Sequence, residues 1–80
     1  MKSAKRTITQ YIKAIYTLTE SNGEYTIICI QENKQEGTTA IYKAEGFSSN
    51  VSKAIKIFNK IVRGKVLGST LIDVIYNLID

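Results

Sequence analysis

Residues 49–63 constrain the fold of this chain most strongly, because their apolar and basic side chains separate onto two sides of a helix. At about 100° per residue, Lys53, Lys56, Lys60 and Arg63 share a narrow sector that no acidic residue interrupts. We refer to these four residues as the basic row. The apolar residues share a wider sector on roughly the opposite side: Val51, Ala54, Ile55, Phe58, Ile61 and Val62. The sequence therefore predicts a helix with one core side and one exposed basic side.

Residues 8–19 have apolar positions that suit either one side of a helix or one face of a strand. Their β-branched Ile and Thr residues favour a strand. The Asn22-Gly23 dipeptide that follows is a strong β-hairpin signal, because both residues accept positive φ angles. We therefore predict that residues 8–19 pair in antiparallel fashion with residues 25–30, whose nearly continuous apolar run is typical of a central strand.

The rest of the chain predicts one more strand and two helices. Residues 38–44 form the third predicted strand. Ser48 or Ser49 is the expected N-cap of the main helix, and Gly64 is expected to end it in the left-handed conformation. Residues 71–79 form a second, shorter helix. The predicted fold is α+β, a three-stranded antiparallel β meander followed by two α-helices packed on one face, in the order β-β-β-α-α.

The chain of 80 residues is expected to form a single domain, 1–80. A domain of this size is close to the lower limit for a stable core without disulfides or metal ions. Phe58 and Ile55 are the expected centre of that core. The second helix is apolar over a wide sector, which packing against the first helix would explain. The alternative is a homodimer that buries four residues of that helix: Leu71, Ile72, Ile75 and Ile79.

The residues needed for catalysis or metal binding are largely missing from the sequence. There is no histidine, and the single cysteine, Cys29, lies between isoleucines in a predicted strand, where a buried structural thiol is expected. The pairs Glu20/Glu24 and Glu32/Glu36 flank turns, where exposed carboxylates are ordinary. No Cys/His cluster suggests zinc and no Asp-rich loop suggests calcium. We therefore expect neither an enzyme nor a bound cofactor or metal ion.

The net charge of +4 and the basic row favour an acidic partner. That partner is either a protein or a nucleic acid whose phosphates are bound without sequence specificity. The third alternative is that the basic row contacts only water. Residues 71–79 contain no Lys or Arg, which excludes a helix-turn-helix that reads the major groove. The expected partner-binding residues are Lys53, Lys56, Lys60, Arg63 and Lys65.

The sequence shows no signal-peptide pattern and no apolar run long enough to span a bilayer. A single cysteine also excludes an intramolecular disulfide, so the cytoplasm is the expected compartment and no membrane contact is expected. Ile, Lys, Asn and Tyr are frequent, and their A/T-rich codons favour an AT-rich bacterial or phage genome.

The order of hairpin, third strand, amphipathic helix and closing segment 69–78 (STLIDVIYNL) resembles short uncharacterised proteins of clostridia and related Firmicutes, whose C-termini often read Leu-x-Asp-Val-Ile-x-x-Leu. This resemblance covers about residues 22–80 and implies no activity. In its size, its composition and the clustering of basic and acidic residues in separate segments, the chain is also similar to phage-encoded inhibitors, including anti-CRISPR proteins. That likeness implies a non-enzymatic inhibitor or regulator of a larger host protein or ribonucleoprotein complex. Non-specific nucleic-acid binding is the alternative.

Overall fold

The computed structural model describes residues 2–79 as a four-stranded antiparallel meander with a helical hairpin on one face. The strands follow one another across the sheet in chain order, and the two helices run antiparallel to each other. A 3-10 turn, Gly68–Thr70, leads into the second helix. The elements are β1 (Lys2–Thr7), β2 (Ile12–Ser21), β3 (Glu24–Asn33), β4 (Thr38–Ser48), α1 (Val51–Arg63) and α2 (Leu71–Ile79).

The predicted fold class is confirmed, but the predicted strand count is wrong because the first strand was missed. β1 has the sequence KSAKRT, in which alanine is the only apolar residue, so no alternating pattern marks it as a strand. It lies at the edge of the sheet, where basic side chains discourage pairing with other chains. The Lys2 amine also ties β1 to α1, since it donates to Asn59 Oδ1 at 3.2 Å and lies 5.9 Å from the centre of the Phe58 ring.

The predicted hairpin is confirmed, with β2 paired to β3 through Asn22 and Gly23. Both turn residues have positive φ, 54° and 81°. β2 begins at Ile12 rather than at residue 8, because residues 8–11 form a tight turn in which the Ile8 N–H donates to the Ile12 carbonyl oxygen at 2.8 Å. The strand alternative for this segment is therefore correct over Ile12–Ser21, and the helical alternative is wrong.

β4 runs on to Ser48 instead of ending at residue 44. A bulge allows this extension: Ala44 lies opposite Ile27, but the next paired residue, Ser48, lies opposite Tyr25. Gly46 takes a positive φ of 57° in the bulge, and its N–H donates to Thr26 Oγ1 at 3.1 Å. The irregular backbone turns Phe47 into the core, which simple strand alternation could not predict.

Both predicted ends of α1 are wrong in detail. Asn50 is the N-cap in place of Ser48 or Ser49, and its Oδ1 accepts from the Lys53 N–H at 2.9 Å. Gly64 keeps a right-handed φ of −79°, and the left-handed position falls one residue later on Lys65, with φ 50°. The Val66 N–H then donates to the Ile61 carbonyl oxygen at 3.3 Å, as in a Schellman motif.

The buried side of α1 is rotated from the predicted one. Phe58 is buried as predicted, but Ile55 is only half-buried and Val51 is 51% exposed. Ile57, outside the predicted apolar sector, is buried instead. The reason is the position of α2, which lies beside Ile57 and brings Leu78 close to it.

Two of the four residues predicted for a homodimer through the second helix cannot form such a surface. Leu71 and Ile75 are fully enclosed in the monomer core, because that side of α2 packs on the sheet and on α1. Ile79 is half-buried against the core, and only Ile72, 46% exposed, faces outwards. Packing against the rest of the monomer, the simpler explanation of this apolar sector, accounts for its buried residues.

Polar side chains of the covered sheet face hold the connection between α1 and α2. The Tyr16 hydroxyl donates to the Val66 carbonyl oxygen at 2.6 Å, and Gln31 Oε1 accepts from the Gly68 N–H at 3.0 Å. Gly68 also lies directly on the ring of Tyr42, where no β-carbon would fit. Burial, and to a lesser degree the neighbouring Cys29, raises the pKa of Tyr16 to about 12.

We predict that Tyr16→Phe lowers the free energy of unfolding by about 1–2 kcal/mol at pH 7, because it leaves the Val66 carbonyl oxygen without its donor. Urea denaturation measures this loss. Tyr76→Phe is the matched control, since Tyr76 is 59% exposed and its hydroxyl can bond to water. Equal stability of the two variants would contradict the assigned role of the Tyr16 hydroxyl.

The raised pKa of Tyr16 also predicts how stability changes at high pH. Between pH 10 and about 12 the unfolded chain has lost the Tyr16 proton that the folded chain still holds, so stability falls as pH rises through this window. Tyr16→Phe removes this contribution, and its stability should fall less steeply there than that of the Tyr76→Phe variant. Equal slopes of the unfolding free energy against pH for the two variants would be evidence against a raised pKa of Tyr16.

Candidate partner-binding site

Three members of the basic row, Lys53, Lys56 and Lys60, line a shallow groove of about 390 Å³. The groove lies between α1 and the end of α2, because the two helices are antiparallel and the C-terminal half of α2 returns beside the start of α1. Ile57 and Leu78 form its apolar floor, and Asn50 and Ser52 complete the lining. We call this feature the helix groove.

Helical spacing explains why the lysines gather there. Positions three and four residues apart are neighbours on a helix surface, so Lys53, Lys56 and Lys60 stand one above another along α1. Repulsion between such like-charge neighbours costs roughly 0.2–0.5 kcal/mol per pair. The helix dipole disfavours the positive charge of Lys53 near the start of α1. None of the described residues in the first turn is acidic, so no carboxylate there offsets this effect. The arrangement is electrostatically unfavourable for folding and leaves a concentrated positive charge at the groove.

The structure does not bring all five predicted residues together. Arg63 is exposed in the last turn of α1, where the helix dipole favours a cation. It extends the basic row beyond Lys60 but does not line the helix groove. Lys65 follows α1 and is itself the left-handed residue at which the helix ends. The predicted site therefore divides into three lysines at the groove and two cations at the far end of α1.

The apolar floor of the groove was missed by the sequence prediction. Ile57 follows Ala54 by three residues and precedes Ile61 by four, so helical spacing could have placed it on the buried side. Its closeness to Lys53 and Lys60 around the helix led to its omission. Leu78 belongs to α2, and its place in the groove depends on how the two helices pack.

The acidic residues occupy a different part of the surface. Glu24 and Glu45 line a pocket of about 360 Å³ at the tip of the β2–β3 hairpin. The Glu20 carboxylate accepts from the Gly23 N–H at 2.7 Å, and the Glu36 carboxylate from the Asn33 side chain at 3.0 Å, so both serve turns. Within residues 2–79, no three His, Cys, Asp or Glu side chains are close enough to hold a metal ion together.

Cys29 is buried in β3, as predicted, with no exposed surface. Burial raises the pKa of its thiol, which disfavours the thiolate that a nucleophile or metal ligand requires. Its neighbours across the sheet are Tyr16 and Tyr42, so neither a histidine nor a carboxylate lies opposite the thiol to take its proton. The position therefore suits a structural residue.

Comparison of the chain with protein-family models, curated proteins and solved structures finds no match. The resemblance to short Firmicutes proteins and the likeness to anti-CRISPR proteins thus remain predictions. Over the part of the chain that the structure describes, neither helix is long and apolar enough to cross a membrane.

We predict that Lys65→Gly raises the free energy of unfolding by about 0.5–1 kcal/mol. A non-glycine residue in the left-handed region costs roughly 1–2 kcal/mol, and the greater freedom of glycine in the unfolded chain offsets part of that gain. Lys65→Ala is the matched control, because it removes the same charge and keeps the cost at φ 50°. Chemical denaturation in which the two variants are equally stable would show that the conformation of Lys65 is not strained.

Proposed function

We propose that this chain is a non-enzymatic binding protein whose helix groove docks on an acidic segment of a larger host protein, which it inhibits or regulates. The observation that carries this proposal is the combination of three lysines with an apolar floor, Ile57 and Leu78, in one groove. Phage-encoded inhibitors such as anti-CRISPR proteins are the class to which this proposal assigns the chain. Its site of action is then the cytoplasm of the host cell.

The chemistry of the groove supports an amphipathic acidic protein segment as the occupant. The apolar floor can take an aliphatic or aromatic side chain, and the lysine ammonium groups can pair with flanking carboxylates. Lysine stems also cover apolar surface while their charged ends stay in water. Such charge complementarity raises the association rate and excludes basic partners more than it adds affinity.

Nucleic acid is the second candidate, supported by the length of the basic row. From Lys53 to Arg63 the row extends about 15 Å along α1 at 1.5 Å per residue, which is enough to reach two or three successive phosphates. Proteins that bind single strands usually add aromatic side chains on which bases stack. The described residues that line the groove include no aromatic side chain, which favours the protein segment.

We predict that Lys53→Glu combined with Lys56→Glu weakens partner binding at least about tenfold, or 1.4 kcal/mol. The melting temperature should stay the same or rise, because acidic residues near the start of α1 suit the helix dipole. Lys34→Glu with Arg6→Glu is the matched control, since both residues are exposed outside the groove and the change in net charge is identical.

Two probes separate the candidate functions by fluorescence anisotropy. One is a labelled peptide with Glu and Leu at helical spacing, and the other is a labelled single-stranded oligonucleotide of the same charge. The proposal expects peptide binding that only the groove variant weakens, with a shallow salt dependence. Tighter binding of the oligonucleotide, with log K falling linearly and steeply with log salt, would transfer the function to nucleic acid. Unaltered binding of both probes by the groove variant would mean that the basic row is only solvated.

The same variants identify the natural partner by affinity capture from a Firmicutes lysate, with and without nuclease. A protein that the wild type and the control variant retain after nuclease treatment, and that the groove variant loses, supports the proposal. Capture that nuclease abolishes would support the second candidate.

A further inference from the structure

The sheet face opposite the helices carries a row of isoleucines. Ile15 lies directly opposite Ile30, which lies opposite Ile41, so three adjacent strands place isoleucine at one level. We call these three residues the isoleucine row. Lys5 of β1 ends the row on one side, opposite Ile15. These positions alternate with Tyr16, Cys29 and Tyr42 along their strands, so they face away from the helices.

The isoleucine row is not part of the monomer core. The core and the residues packed on it include the alternate positions of the same strands, but not these three. Ile41 is 61% exposed, while Ile15 and Ile30 are half-buried between their strand neighbours. An antiparallel sheet that faces water on one side usually presents polar residues there, and continuous exposed apolar patches often mark interaction sites. Among residues 2–79 no element packs over this face, so it is open to another molecule.

The neighbouring level of the face carries charge in a self-complementary order. Lys13 of β2 lies opposite Glu32 of β3, one level from the isoleucine row. A twofold axis parallel to the strands and midway between β2 and β3 would stack two copies of the sheet with their open faces together. This axis places Lys13 over the partner's Glu32 and Glu32 over the partner's Lys13. It also places Ile15 over the partner's Ile30.

We propose that the open sheet face is a homodimer interface built on this axis. Two sheets packed about 10 Å apart would interdigitate their isoleucine rows, and the aliphatic stem of Lys5 would cover the partner's Ile41. The alternative axis, perpendicular to the strands through the isoleucine row, would place Ile28 over the partner's Glu32. That arrangement buries a carboxylate against apolar surface, so the first axis is favoured.

The size of the face sets the expected affinity. Four strands about 4.8 Å apart with roughly 25 Å of shared length give about 500 Å² per copy, and so about 1,000 Å² in total. Interfaces of this size belong to weak, reversible complexes. The dimer should therefore dissociate on dilution, with a dissociation constant in the micromolar range. The helix groove lies on the other side of the sheet, so this inference stands independently of the proposed function.

Sedimentation velocity over a range of concentrations tests the interface through a charge exchange. Lys13→Glu alone places two Glu–Glu pairs across the interface, and Glu32→Lys alone places two Lys–Lys pairs there. Each variant by itself should be monomeric at concentrations where the wild type is a dimer. An equimolar mixture of the two should form a heterodimer, because every cross-interface pair is then of opposite charge. Inside each monomer the neighbouring pair stays like-charged, so recovery in the mixture cannot come from a repaired fold.

Two further variants separate this face from the helices. Ile41→Thr keeps a β-branched residue at an exposed position and should weaken the dimer at least tenfold. Ile72→Thr, on the exposed side of α2, should leave the dissociation constant unchanged. The proposal would be overturned by any of three results: a wild type that is monomeric up to about 1 mM, a mixture of charge variants that stays monomeric, or a dimer that Ile72→Thr rather than Ile41→Thr dissociates. Mass that increases only with added oligonucleotide, and that Ile41→Thr but not Ile72→Thr abolishes, would assign the face to nucleic acid instead and equally overturn the proposal.

Discussion

The hydrogen bond from the Tyr16 hydroxyl to the Val66 carbonyl oxygen fixes where the helical hairpin sits on the sheet. It acts at the point where the chain reverses between α1 and α2, so it sets the position of both helices together. Gln31 and Tyr42 hold the same connection at Gly68. Hydrophobic burial has no preferred direction, whereas these contacts do. They therefore select one of the several positions in which the apolar side of the helical hairpin could pack on the sheet. The position of Leu78 beside Ile57, and with it the helix groove, follows from that placement.

The groove and the stability of α1 have opposing requirements. A helix designed for stability alone would carry acidic residues near its start and would alternate the charges along its exposed side. α1 instead relies on Asn50 to cap its first turn and on its buried residues to hold it to the sheet. The repulsion within the basic row costs a few tenths of a kcal/mol per pair, a small amount beside the burial of Phe58 at about 1.5–3 kcal/mol. The fold can therefore tolerate a concentrated positive surface.

Local signals in the sequence predicted those parts of the fold that local chemistry determines. Asn22-Gly23 gave the central hairpin, since only positive φ angles close a two-residue turn of this type. The separation of apolar and basic residues gave α1 and the exposure of its lysines. β1 escaped prediction because an edge strand with basic side chains has no apolar period. Ile57 was omitted from the buried side because its environment depends on α2, and the burial of Phe47 was not predicted because it depends on a bulge. The left-handed residue was placed at Gly64 rather than at Lys65, because the connection after α1 determines it. The isoleucine row is visible only once the register between strands is known.

A small sheet with helices on one face can leave its other face to solvent or bury it against another molecule, and the isoleucine row favours burial. If the open face contacted only solvent, Ile15, Ile30 and Ile41 would lower the solubility of the protein without stabilising its fold or binding a partner. In the proposed dimer they are covered, and the two helix grooves point outwards from opposite sides. Each copy contributes a helix layer about 10 Å from its sheet, and the sheets are about 10 Å apart, so the grooves are roughly 30 Å from one another. Such a dimer gains avidity only on a partner with two acidic segments at a matching distance, because a second site out of reach adds no effective concentration. For the docking proposed above, a symmetric or repeated partner therefore fits that geometry better than an isolated acidic peptide does.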